Sequence, residues 1–162
     1  MTSDRNACGD GAERLLLERA GTDDKDAVVA LQFAAYARNR KLLGLEPLPL
    51  LTDYDEIFAN YEVWIGREDD GIGAVLILEP RPDDLLIWSV ATDPERQSKG
   101  LGGKLLAAAD ARARELGRTV LRLYTGSTLN HLIEWYGRHG FTVEHIEQLE
   151  DRAITHMVKH LA

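Results

Sequence analysis

Apolar and polar positions along the chain fall into short blocks whose period changes repeatedly, which predicts strands interleaved with helices. The block Glu13-Arg14-Leu15-Leu16-Leu17-Glu18-Arg19 is apolar at its centre, is followed by Gly21, and suits a first strand. Thr22-Asp23-Asp24 offers helix-capping side chains, and Val28, Leu31 and Ala35 follow at helical spacing, so a helix is expected from Asp24 to Arg38. Gly44, Pro47 and Pro49 break the pattern, and Thr52-Asp53 caps a second, short helix through Asn60. Glu62 to Arg67 alternates as a strand. Glu68-Asp69-Asp70-Gly71 reads as a hairpin turn, and Gly73 to Leu78 is the returning strand.

Beyond Pro80 and Pro82 the next strand runs from Leu85 to Ala91. Leu101, Leu105, Ala108 and Ala109 mark a helix reaching Leu116 and ended by Gly117. Val120 to Tyr124 is a strand, Leu129 to His139 a helix closed by Gly140, and Phe141 to Leu149 pairs with Ile154 to Lys159 around Glu150-Asp151. The order β-α-α-β-β-β-α-β-α-β-β predicts an α/β protein of the α+β kind with a mixed sheet. Hairpins supply its antiparallel pairs, and the long helical crossover forces at least one parallel pair. No repeat or composition break divides the chain, so residues 1–12 read as a flexible leader and residues 13–162 as a single domain.

Composition narrows the class. With 162 residues, 44% apolar and 28% charged, the chain suits one globular domain with its own core. No apolar run approaches the roughly 20 residues of a membrane span, and Met1 to Asn6 opens no secretory apolar segment. The single Cys8 forms no intrachain disulfide, so a cytoplasmic location is expected. Nineteen basic residues against 27 acidic give a net charge of −8, which disfavours nucleic acid. Five scattered histidines lack metal-ligand spacing, and Ser89 and Ser127 lack a G-x-S-x-G context, so neither a metal nor a hydrolase triad is expected.

The chemistry concentrates between Val90 and Leu106, read as V-A-T-D-P-E-R-Q-S-K-G-L-G-G-K-L-L. Glycines let a backbone approach a ligand, and the first N–H groups of a helix lack internal partners, so this strand–turn–helix suits a phosphate. It is no P-loop, because Lys104 is followed by Leu105 rather than a hydroxyl residue. Nor is it a dinucleotide fingerprint, whose third glycine position is Leu105. Gln97-Ser98-Lys99-Gly100-Leu101-Gly102 fits Q/R-x-x-G-x-G/A, and after V-x-x-D-P it resembles the acyl-CoA motif of the GNAT superfamily of N-acetyltransferases. Tyr136-Gly137-Arg138-His139-Gly140-Phe141 resembles that superfamily's Y-x-x-x-G-F signature, and the element order is similar from about Glu13 onward.

The resemblance implies acetyl-CoA as co-substrate and a small-molecule or peptide amine as acceptor, attacking the thioester directly with no metal. A non-catalytic acyl-CoA-binding sensor or partner-binding module on the same fold is the alternative. Backbone groups of Val90, Ala91 and Thr92 would meet the pantetheine arm, and the pyrophosphate would lie on Gln97, Ser98, Lys99, Gly100, Leu101, Gly102, Gly103 and Lys104. Tyr136 is the implied general acid; a half-buried packing tyrosine is the other reading. Asn130 is the implied cofactor-bonding asparagine or a helix cap. The base stays open among Glu62, Glu68, Glu79 and water, and the acceptor groove is expected within Tyr36 to Tyr61, with Asp53, Tyr54, Asp55 and Glu56 suited to a cationic amine. A homodimer is compatible with the sequence; membrane and nucleic-acid partners are not expected.

Overall fold

The computed structural model describes residues 16–68, 71–95 and 100–162. Seven strands form one mixed sheet in the order β1-β2-β3-β4-β5-β7-β6. These are β1 (Glu18–Arg19), β2 (Glu62–Glu68), β3 (Gly71–Pro80), β4 (Leu85–Thr92), β5 (Val120–Gly126), β6 (Thr142–Gln148) and β7 (Ala153–His160). The helices are α1 (Lys25–Leu43), α2 (Tyr54–Asn60), α3 (Leu101–Glu115) and α4 (Asn130–Arg138). The predicted order holds throughout. Single 3₁₀ turns at Thr22–Asp24 and Leu48–Leu50 are additions to it. Helix α1 outruns its expected end at Arg38 because Arg40 and Lys41 suit its C-terminal dipole, and left-handed Gly44 (φ 72°) closes it with an N–H to the Arg40 carbonyl.

Helices cover both faces of the sheet. Val28, Leu31 and Ile57 of α1 and α2 pack on Val63, Ile65, Val75 and Ile77. Leu105, Ala109 and Ala113 of α3 pack on the opposite face, against Leu76, Leu78, Leu85 and Leu121. A central strand covered twice needs apolar residues on both sides, which is why Ala74 to Leu78 reads as an unbroken apolar run. Outer strand β6 is exposed along its whole length.

The parallel pair of β4 and β5 is short. It is registered only at Leu85↔Leu121 and Leu86↔Arg122, although β4 continues to Thr92 and β5 to Gly126. The cause lies on the other edge of β4. Ile77 pairs with Ser89 and Leu78 with Ile87, which leaves Trp88 as an inserted residue, a β-bulge. A bulge bends its strand and breaks the alternation of faces. Leu85 and Ile87 therefore join the α3 core, whereas Trp88 packs with α2-side Tyr54 and Ser89 bonds to α1.

Where the two strands do meet, buried Asp84 holds them. Its carboxylate accepts Arg81 Nε at 2.7 Å, Arg81 Nη2 at 2.8 Å and Arg122 Nη1 at 2.8 Å, while Arg122 also grips Glu144 of β6. These bonds, that of Arg81 first, hold the Asp84 carboxyl below its ordinary value. A carboxylate with a depressed folded pKa adds stability above its unfolded pKa of 3.8, and that stability is lost as pH falls through and below it. Asp84→Asn leaves two arginines short of their acceptor. It is expected to cost about 2 kcal/mol at neutral pH, or roughly 4–8 °C in Tm, with the difference from the parent shrinking below about pH 4. Thermal unfolding against pH checks this, and an unchanged Tm at pH 7 would refute the clamp.

Candidate active site

The diverging strands open a cavity of about 770 Å³. Its walls are the far half of β4, the end of β5, the start of α3, one face of α4 and the C-terminal part of α1 with the turn after it. Of the residues expected to hold the cofactor, Val90, Ala91, Thr92, Gly100, Gly102 and Gly103 line this cavity, and so does Tyr136. Leu101, Lys104 and Asn130 lie outside its lining: Leu101 is buried in the core, and Asn130 is exposed as the first residue of α4 after its N-cap Leu129. Gln97, Ser98 and Lys99 lie outside the described residues, as does the expected leader.

From Ile87 onward β4 has no strand paired on its β5 side among the described residues, which leaves its backbone groups there open to a bound molecule. Helix α3 starts one step away. Gly100 is left-handed (φ 73°) and caps it, and the Lys104 N–H closes the first turn on the Gly100 carbonyl at 3.3 Å. The N–H groups of Leu101, Gly102 and Gly103 then have no carbonyl within the helix. The glycines also serve packing. A Cβ on Gly102 would stand 3.0 Å from Trp135 Cζ2, and one on Gly103 would stand 3.3 Å from His139 Nε2. Bare backbone at both positions lets α4 lie directly on the start of α3. An open backbone edge ending at a helix N-terminus has the shape and donors for an extended amide-containing arm ending in a phosphate.

Tyr136 follows Trp135, and their rings meet edge to face with centroids 5.1 Å apart. Burial raises the Tyr136 phenol to about 12, so it carries its proton at neutral pH. Its hydroxyl has no hydrogen-bond partner among the described residues. Across the cavity, Tyr36 of α1 shares a hydrogen bond with Ser89 Oγ at 2.9 Å. Gln32 Nε2 donates to Ser89 Oγ and to Tyr54 Oη, each at 3.0 Å, and Tyr54 donates to the Pro49 carbonyl at 2.9 Å. Burial, and then the nearby Tyr136, push the Tyr36 phenol well above its ordinary value. Both tyrosines are therefore neutral.

Carboxylates expected as base or acceptor site lie elsewhere. Glu62 is bound to Arg112 of α3 at 3.0 and 2.9 Å and to Trp64 Nε1 at 3.0 Å. Neither Glu68 nor Glu79 lines the cavity. Asp53 caps α2 through the Asp55 N–H, Asp55 pairs with Lys25, and these acids border a separate shallow depression. Asp53 and Asp55 are thus engaged by a helix start and a lysine, while the expected stretch Tyr36 to Tyr61 meets the cavity through Tyr36, Arg38, Leu48, Pro49 and Thr52. The cavity also holds His131, on the first turn of α4. Burial first, and then the charge of Arg38, keep its imidazole below 6.5, hence neutral and basic at pH 7. Tyr36 and Arg38 fall within the stretch expected to wall the acceptor groove; His131, one residue past the singled-out Asn130, is an addition to the sequence reading.

The description "Acetyltransferase (GNAT) domain" matches residues 59–143, just over half of the chain. Over 98 residues, 60% of the chain, it is 29% identical to an uncharacterized N-acetyltransferase, YvbK, of Bacillus subtilis, covering 62% of that protein. It is 29% identical to a mycothiol acetyltransferase of Propionibacterium freudenreichii over 147 residues, 81% of the chain but 44% of that relative. Both matches span less than two thirds of the relatives' own lengths. In fold it is similar to a GNAT family acetyltransferase from Elizabethkingia anophelis solved with acetyl-CoA bound, at TM-score 0.71 and 15% identity over 91% of this chain and 99% of that one. A matched domain running from β2 through α4 to the start of β6, the splayed strands and the glycine-opened helix lead to one assignment: the chain belongs to the GNAT acetyltransferase family.

Proposed function

We propose that the protein is an acetyl-CoA-dependent N-acetyltransferase that moves an acetyl group to a primary amine by direct attack on the thioester. The observation that carries this is the cavity between β4 and β5, which joins an unpaired strand edge, a glycine-opened helix start and a protonated phenol. When bound, acetyl-CoA supplies an activated acyl group on a sulfur that can leave. Backbone groups of Val90, Ala91 and Thr92 hold the extended arm. One of their N–H groups faces the carbonyl oxygen, where negative charge grows as the amine adds. The N–H groups at the start of α3, with Gln97, Ser98 and Lys99 of the motif, hold the pyrophosphate.

Proton traffic falls to two residues of α4. His131 is neutral at pH 7 and takes the proton that the amine sheds as its nitrogen bonds to the acetyl carbon. Tyr136 gives its proton to the sulfur as the carbon–sulfur bond breaks, and solvent restores both groups. Retention of this phenol favours an enzyme over the sensor reading, since a binding module has no need of an acid.

Three measurements test the reading. Gly102→Val drives Trp135 off α3 and fills the helix start; CoA affinity by calorimetry is expected to fall at least about tenfold while the circular dichroism stays that of the parent. An unchanged Kd in the folded variant would place the pyrophosphate elsewhere. Tyr136→Phe keeps the ring and removes only the proton. Because its hydroxyl has no partner among the described residues, Tm and CoA affinity should hold while kcat drops at least about tenfold, within the roughly 100- to 10,000-fold range of positioned proton transfer. A loss of Tm along with kcat would make the hydroxyl structural. For His131, the slope of log kcat/KM against pH, taken with an amine that titrates well above neutrality, should steepen from about one to about two below a pKa under 6.5. His131→Asn should abolish the steepening; a profile that keeps it assigns the base to another group.

A further inference from the structure

The cavity has two ends of different chemistry. Trp135 and His139 rest on Gly102 and Gly103, so the C-terminal half of α4, with Arg138, belongs to the phosphate end. His131, at the opposite end of α4, belongs with α1 and the turn after it. That end is cationic. Among the described lining residues there is no aspartate or glutamate, while Arg38 and Arg152 both face the cavity there. Arg152 is anchored: its Nη1 donates to the Glu46 carbonyl at 2.8 Å, and its Nε and Nη2 bind Asp151 at 3.0 and 3.1 Å. Arg38 is exposed and has no carboxylate partner among the described residues, yet it lies close enough to His131 for its charge to act on the imidazole.

A polycation entering this end meets Arg38, and no carboxylate among the described lining residues neutralises a second ammonium. A carboxylate meets a guanidinium whose planar fork matches it and is not already engaged. The same positive surroundings favour the uncharged form of an incoming amine, which is the form that attacks. Tyr36, its hydroxyl held by Ser89, offers oxygen lone pairs to an amine N–H in the same cavity.

Resting on the transferase reading above, we propose that the acceptor is a primary amine bearing a carboxylate, of the amino-acid or short-peptide class, with its anionic group on Arg38 and its nitrogen at Tyr36. The protein as a whole is acidic, so this preference belongs to the cavity and not to the surface.

The test uses the full chain with acetyl-CoA and matched acceptors: amino acids and dipeptides against their decarboxylated or amidated counterparts, with spermidine as the polycation. The carboxylate-bearing members are expected to show kcat/KM at least about tenfold higher, and to raise the Tm of the CoA-loaded protein where their counterparts do not. Arg38→Gln should erase both differences, chiefly through KM, with CoA affinity unchanged. Faster acetylation of the decarboxylated amines or of spermidine, or a preference that survives in Arg38→Gln, overturns the acceptor class and leaves the transferase standing. Tight CoA binding with no acceptor acetylated overturns the transferase itself, and the acceptor class with it.

Discussion

Two parallel strands that are tied at one end and free at the other set the conditions for everything else in this molecule. Parallel strands ordinarily pair evenly along their length, because each unpaired backbone group costs free energy once it is removed from water. Here β4 is turned away from β5 by the extra residue Trp88, and the pair closes over only two residues. A junction that short needs help. Buried Asp84 supplies it by holding Arg81 and Arg122 at the root of the divergence, with Leu85 and Leu121 fully buried beside it. The backbone left open by the split is then available for a ligand that offers amides of its own.

The bulge also decides which side chains face which helix. By parity alone Ser89 would join Leu85 and Ile87 beneath α3. Shifted to the other face, it meets Gln32 and Tyr36 of α1. That shift anchors a polar chain from the cavity to the Pro49 carbonyl in an otherwise apolar layer. Satisfied polar groups of this kind are costly to disturb, because removing one member strands the others in low dielectric. The α1 wall of the cavity and its proline-rich turn are therefore tied to the sheet beneath them by side-chain hydrogen bonds.

Most of the fold was legible because its signals are local. Gly44, Gly117 and Gly140 stop elements where left-handed backbone is required, and alternation or helical spacing names the element between them. The strand and helix start proposed to hold the phosphate were visible for the same reason, since they lie close together in sequence. The end proposed for the acceptor was visible only as the stretch Tyr36 to Tyr61, not as side chains. Asp53 and Asp55 look like ligands for a cationic amine until their partners, the α2 N-terminus and Lys25, are known. Arg38, Tyr36 and His131 reach one cavity from helices α1 and α4, almost a hundred residues apart. No spacing rule connects them. The bulge at Trp88 was equally hidden, because it exists only in the register between two strands.

The contact between α3 and α4 ties the two ends together. Gly102 lacks a Cβ where one would press on Trp135 at 3.0 Å, and Trp135 is the residue before Tyr136. The same bare backbone that leaves N–H groups open for a phosphate thus sets the height of α4 above the sheet, and with it the position of the phenol. Ile133 and Tyr136 pack against the core from α4, so the helix is pinned from below as well as from the side. A side chain at position 102 would therefore act both at the helix start and, through Trp135, on the placement of Tyr136. The glycine is required by Trp135 in the structure and, on the proposed function, by the phosphate of the co-substrate as well.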